Sequence, residues 1–179
     1  MSNEYKDWEH DKIEEEKEIV AKYPFLKMRA DSNCSYKDTK WPMMALELPD
    51  GWYDLFFQLC DDIKDLVPED FYFIQVKEKY NSLICYSANS TPEVNLILDK
   101  YAKMAYYVCT VCGAPADKLT TNYIASFCEG CWKDSVRHTQ VEDIEFEPTF
   151  TVTHFNNGER TIEEISFKDE WNRYLERIK

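Results

Sequence analysis

The sequence predicts an α+β fold: a small helix and β-hairpin core, a fused cysteine module, and a C-terminal hairpin plus helix. Three patterns carry that prediction. Apolar residues recur at helical spacing from Trp52 to Leu66 and then alternate from Phe71 to Tyr80. Two Cys-x-x-Cys pairs, Cys109/Cys112 and Cys128/Cys131, stand fifteen residues apart. Near the end, Asn156-Asn157-Gly158 separates two further strand-like runs. The expected segments are an acidic helix over 1–24, an α+β core over 25–108, the cysteine module over 109–138, and a hairpin with helix over 139–179. Together they are expected to form one compact unit.

Asn3 to Lys22 reads as a helix with a narrow apolar stripe of Ile13, Ile19 and Val20, ended by Pro24. Residues 25–50, with Pro42 and Pro49, read as irregular or short extended structure. Asp50-Gly51-Trp52 opens the next helix with Asp50 as its expected N-cap. Trp52, Leu55, Phe56, Leu59, Ile63 and Leu66 form its core face, and Pro68 stops it. Asp54, Asp61, Asp62 and Asp65 fall mostly on the opposite, solvent-facing side.

Period-two spacing then puts Tyr72, Ile74 and Val76 on one strand face, with Phe71, Phe73, Gln75, Lys77 and Lys79 on the other. Leu83 to Ser87 returns as a second strand, so the hairpin turn is expected at Asn81-Ser82. Thr91 and Pro92 open a helix in cap and first-turn positions. Its stripe of Val94, Ile97, Leu98, Tyr101, Ala105 and Val108 leads directly to Cys109. After the cysteine module, Ile144 to Phe155 and Thr161 to Phe167 form the last hairpin. Asp169 is the expected cap of a closing helix with Trp171, Tyr174, Leu175 and Ile178 on one side.

Cys109, Cys112, Cys128 and Cys131 match the four-thiolate pattern of a structural Zn2+ site. A two-residue spacer lets both sulfurs of a knuckle reach one ion at about 2.3 Å, and two knuckles complete a tetrahedron. Gly113 supplies backbone freedom just after the second ligand. Every coordination position is then taken by protein, which leaves no open position for chemistry. Two disulfides, or buried free thiols, are the alternatives that the regular spacing disfavours. Ala114 to Phe127 has room for a short hairpin, and Cys128 to Cys131 would begin a helix through His138. That order is treble-clef-like; a zinc ribbon, with both knuckles on hairpins, is the competing geometry.

Composition narrows the classes. The chain has 179 residues, 44% hydrophobic and 15% aromatic, which suits a folded domain. No run approaches the roughly 18 apolar residues of a membrane span, and the acidic N-terminus does not resemble a secretory signal. Seven cysteines, four of them assigned to metal, fit a reducing cytoplasm, with Cys34, Cys60 and Cys85 as ordinary thiols. Net charge is −13. Residues 1–20 carry eight acidic and three basic side chains, and residues 142–170 carry nine and two. The overall field repels nucleic acid, although residues 100–140 hold five basic and three acidic groups.

The segments Leu48-Pro-Asp-Gly-Trp52, Gln75-Val-Lys-Glu-Lys-Tyr80 and Cys109-x-x-Cys112-Gly113 with a later Cys-x-x-Cys resemble a family of small proteins of tailed bacteriophages and prophages. The resemblance covers roughly residues 41–134 and implies a phage setting without supplying an activity. Members often follow the Lys-Glu-Lys-aromatic segment with a glycine-containing turn, Leu and Arg; here Asn81-Ser82-Leu83-Ile84 lacks both the glycine and the arginine.

Three functions follow as expectations. The preferred one is a non-catalytic protein that binds a host or phage protein in the bacterial cytoplasm, an inhibitor of host defence being the form a phage setting suggests. Glu14, Glu15, Glu16 and Glu18 would steer association with a basic partner. The second is a nucleic-acid-binding zinc module using Lys103, Lys118, Lys133 and Arg137, with Lys100 nearby and Tyr106, Tyr107, Tyr123 or Trp132 stacking on bases. The third, a metal-dependent nuclease built on Asp50, Gln75 and Lys77, is weak because Gln75 brings no negative charge to a divalent ion. No phosphate loop or nucleophile elbow is present in the sequence.

Overall fold

A computed structural model describes residues 3–29, 41–121, 123–134, 140–156 and 159–179. Helix α1 (Asn3–Lys22) stops just ahead of Pro24, and a 3-10 turn over Pro24–Leu26 follows. Tyr23, Phe25 and Leu26 turn inward there and are buried. The segment expected to be irregular carries a bridge between Lys27 and Met43 and a two-residue strand, β1 (Leu46–Glu47). So short a strand has no periodicity to read; its partner defines it.

Asp50 does not cap the next helix. It begins a 3-10 turn over Asp50–Trp52 that leads into α2 (Tyr53–Ile63), and no side chain caps either. Leu55, Phe56, Leu59 and Ile63 are fully buried as the spacing predicts, each contributing about 1.5–3 kcal/mol of apolar transfer. Leu66 lies past the helix end and is exposed.

The central sheet has the order β1-β2-β3, with β2 (Tyr72–Lys79) parallel to β1 and antiparallel to β3 (Ser82–Ala88). A register shift between Phe73 and Gln75 breaks strict alternation. Phe73 and Val76 are therefore both buried while Ile74 is exposed, contrary to the period-two assignment. The hairpin turn falls one residue early, at Tyr80-Asn81, both with positive φ (53° and 60°). Two left-handed residues in a two-residue loop match the twist of the strands, which is how this turn forms without glycine.

Helix α3 (Pro92–Met104) starts as predicted: the Val94 amide donates to Thr91 Oγ1 at 3.2 Å. Val94, Tyr101 and Met104 are buried, and a 3-10 turn over Ala105–Tyr107 delivers the chain to Cys109. The second sheet, of order β5-β4-β6, is formed by β4 (Lys118–Thr120), β5 (Ser126–Phe127) and β6 (Val141–Asp143). β6 falls within the segment 139–179 assigned to the C-terminal hairpin and helix, ahead of the strand expected from Ile144; it extends the module's sheet by pairing with β4. The short helix α4 (Glu129–Asp134) follows β5.

The last hairpin joins β7 (Thr149–Asn156) to β8 (Glu159–Ser166), so its first strand begins five residues later than the sequence suggested. The expected turn residues Asn157 and Gly158 lie outside the described residues. Only the base of this ribbon packs inward, where Ile165 is buried and Phe150 meets the core. Helix α5 (Lys168–Arg177) closes the chain, with Phe167 in the cap position and Asp169 in the first turn. Trp171 and Tyr174 enter the main core. Asp62, read as solvent-facing, accepts from Arg173 at 2.6 and 2.7 Å and from the Tyr101 hydroxyl at 2.8 Å. Charge on α2 thus docks α5. No described helix is long and apolar enough to cross a membrane.

Candidate metal centre

The first knuckle is a tight turn. The Cys109 amide donates to the Ala114 carbonyl at 2.8 Å, the Gly113 amide donates to the Cys109 carbonyl at 3.0 Å, and Gly113 adopts φ +76°. The second knuckle forms where β5 ends and α4 begins, with the Cys131 amide pointing at Cys128 Sγ at 3.4 Å. Between them lies the β4–β5 hairpin, so the order is knuckle, hairpin, helix: the treble-clef-like one of the two expected geometries. Cys109 is buried, Cys128 and Cys131 are half-buried, and Cys112 is exposed.

All four sulfurs lie within 4.8 Å of one another, and Cys112 Sγ is 3.7 Å from Cys128 Sγ. A tetrahedron with metal–sulfur bonds of about 2.3 Å has edges of about 3.8 Å, so the set fits one metal ion. A disulfide needs about 2.05 Å between sulfurs, and all four thiols are free. Burial opposes ionisation of Cys128, yet the Cys131 amide and the neighbouring thiols donate to its sulfur and bring its pKa down. Burial raises Cys112 and Cys131, which also donate within the cluster. A bound cation would reverse this ordering and favour four thiolates.

The centre is built into the core on three sides. From the α2 side, the Gly51 amide donates to the Thr110 carbonyl at 3.0 Å and Trp52 Nε1 donates to the Val108 carbonyl at 3.2 Å. A Cβ on residue 51 would stand 2.1 Å from the Cys109 carbonyl oxygen and 2.6 Å from the Gly113 nitrogen. From α5, the Tyr174 hydroxyl donates to the Gly113 carbonyl at 2.6 Å. From the central sheet, buried Asn81 receives the Ser126 amide at 3.0 Å and donates to the Ser126 hydroxyl, which in turn donates to the Tyr106 carbonyl. Sequence reasoning missed Gly51, Asn81, Ser126 and Tyr174. The one available signal was Gly51, one of only four glycines, inside Pro-Asp-Gly-Trp.

The other expected site residues are dispersed. Lys118 pairs with Asp143 at 2.5 Å and Lys133 with Glu129 at 2.9 Å, so their charge is largely answered locally. Lys103 lies over the Phe150 ring, Lys100 pairs with Glu170, and Arg137 and His138 lie outside the described residues. Tyr107 packs among Phe146, Phe167 and Trp171 and is not free to stack on bases. On α1, Glu15 and Glu18 are exposed and Glu14 pairs with Lys17. Glu16 corrects the expectation of a uniformly solvated face. It is buried at 8% exposure, accepts the Met43 amide at 3.3 Å, and lines a cavity of about 470 Å³ with Ile19, Met43 and Phe57. Burial raises its pKa.

Fold and site together define an α+β protein with a four-cysteine module, able to hold a metal ion, built into its core. The chain matches no protein-family model, no curated protein and no solved structure.

Proposed function

We propose that this is a non-catalytic protein whose Cys109, Cys112, Cys128 and Cys131 hold a structural Zn2+ and which acts by binding another protein. The observation that carries the reading is the centre itself: four cysteine sulfurs within 4.8 Å of one another, in a module anchored to the core by Gly51, Asn81 and Tyr174. Four thiolates in a tetrahedron suit zinc, or iron, above harder cations. When bound, the ion supplies cross-linking between the two knuckles. The chain's own residues fix the ligands and enclose the site.

Binding is assigned to the exposed carboxylates of α1, Glu14, Glu15 and Glu18, whose field favours encounter with a basic protein surface. In the phage setting that the sequence resemblance implies, such a partner is a host or phage protein in the bacterial cytoplasm, and inhibition of host defence is the matching role. The test has two parts. Metal analysis is expected to give one zinc per chain, and Cys109→Ser to lose it; a chain purified with iron, or without metal, removes the zinc assignment. A partner captured from bacterial lysate should then associate more slowly with a Glu14→Gln, Glu15→Gln, Glu18→Gln variant at low salt, and an unchanged on-rate rules out the arm.

A further inference from the structure

The Gln75-Val-Lys-Glu-Lys-Tyr80 segment supplies none of the four cysteines, and the sheet explains its pattern. Val76 pairs with Cys85 and Glu78 with Leu83, so these positions face inward, and Lys77 pairs with Ile84 and Lys79 with Ser82 on the outer face. Glu78 turns back to accept the Asn81 amide at 2.7 Å. The outer face is left with cations and rings. Lys77 Nζ lies 5.5 Å from the centre of the Tyr86 ring, and Lys79 Nζ 5.4 Å from that of Tyr80. Beside them, Arg29 Cζ lies 3.9 Å from the Tyr72 ring.

Several described cations sit on carboxylates, although Lys103 over the Phe150 ring does not. Lys22 and Lys64 sit on Asp61, Arg173 on Asp62, and Lys118 on Asp143. Among the described residues Lys77 and Lys79 make no ion pair, although Glu47 of β1 is the register partner of Lys77. Tyr80 is 77% exposed and Tyr86 45%, so both rings are open to a ligand beside the two lysines. Glu47, cross-strand from Lys77, is engaged by Gln75, whose side-chain amide donates to it at 3.0 Å.

We propose that the outer face of the β1-β2-β3 sheet binds single-stranded nucleic acid, Lys77 and Lys79 meeting phosphates while Tyr80 and Tyr86 stack on bases. Cations interleaved with exposed rings on a sheet are the chemistry such strands require. A duplex would hide its bases from the rings, and an acidic peptide would use the cations and leave the rings idle. The net charge of −13 does not forbid contact, because charges beyond about 8 Å are screened at physiological salt. This site is separate from the acidic arm of the protein-binding reading, so either can fail alone.

The test is fluorescence anisotropy of the intact, metal-loaded chain with a labelled twelve-base oligo-dT and its RNA counterpart. Binding is expected to weaken as salt rises, with a log–log slope of about −1.4 for two phosphate contacts. Lys77→Gln with Lys79→Gln should flatten that slope, and Tyr86→Ala should cost roughly tenfold in affinity. An unchanged melting curve shows each variant is folded; if Tyr86→Ala is not, Tyr80→Ala replaces it. Absence of binding at low salt, binding unaffected by these variants, or binding lost instead on Lys118→Gln and Lys133→Gln would each overturn the proposal. Competition by a poly-glutamate peptide as strong as that by unlabelled oligonucleotide would give the face to an acidic protein segment instead.

Discussion

Gly51 and the first knuckle approach each other more closely than any side chain allows. With 2.1 Å from a Cβ to the Cys109 carbonyl oxygen, Gly51→Ala must push the α2 entry and the knuckle apart. The expected cost is about 2–3 kcal/mol, measured as a shift in the urea midpoint, with faster metal loss to a chelator. A second residue, Asp61, gathers Lys22 from α1, Lys64 from the end of α2, Arg177 from α5 and the Tyr23 hydroxyl from just after α1. Burial pushes its pKa up, but hydrogen bonds from Lys22, Tyr23 and Lys64 outweigh that and hold it at about 2. A carboxylate whose folded pKa lies below its unfolded value of about 3.9 stabilises the fold above that value. The contribution fades as pH falls from about 4 to 2. After allowance for solvent screening it is about 1 kcal/mol. Asp61→Asn should therefore destabilise the chain at pH 7, and the difference from wild type should shrink below pH 3 in parallel urea titrations.

At the scale of elements, α5 ties the C-terminus to the metal centre. Its apolar side supplies Trp171 and Tyr174 to the core, its Arg173 forks onto Asp62, and its Tyr174 hydroxyl reaches the Gly113 carbonyl. Tyr174→Phe removes only that last bond, expected to cost about 1 kcal/mol and to speed zinc transfer to a colorimetric chelator. An unchanged transfer rate would mean that the knuckle holds its shape without α5. Some elements were legible because their signals are local. The cap and proline that open α3, the apolar stripe of α2 and the last helix face all came from spacing within one segment. The bulge after Phe73 and the parallel pairing of β1 were not, since a shift of alternation and a two-residue strand acquire meaning only against a partner strand.

For the whole molecule, the centre and the core should melt together. The cysteine module shares hydrogen bonds with the α2 entry, α5 and, through Ser126 of β5, the β2–β3 turn, so removing a bound metal is expected to loosen more than a local loop. Zinc binding to such sites is worth roughly 10–16 kcal/mol in isolated peptides, comparable with the whole stability of an average domain. Chelation is expected to lower the calorimetric transition of the entire chain as one cooperative step. Two separate transitions, with only the first sensitive to chelator, would show that the module folds by itself.

The sequence alone determined the four-cysteine cluster able to hold a metal ion, the α+β class and the apolar faces of α2, α3 and α5, because cysteine spacing and apolar period are properties of neighbours along the chain. It did not determine which residues hold the ligands in place. Gly51, Asn81 and Tyr174 all lie well away from Cys109 along the chain; a rare glycine is the one local mark of the backbone approach, and no local pattern marks a buried amide clasp or a hydroxyl aimed at a carbonyl. The tertiary structure likewise decided that Glu16 is buried, that Asp61 and Asp62 are docking groups and not solvated charges, and that Lys77 and Lys79 face outward beside tyrosines. The physical reason is common to all of these: burial and charge pairing depend on what another segment brings into contact.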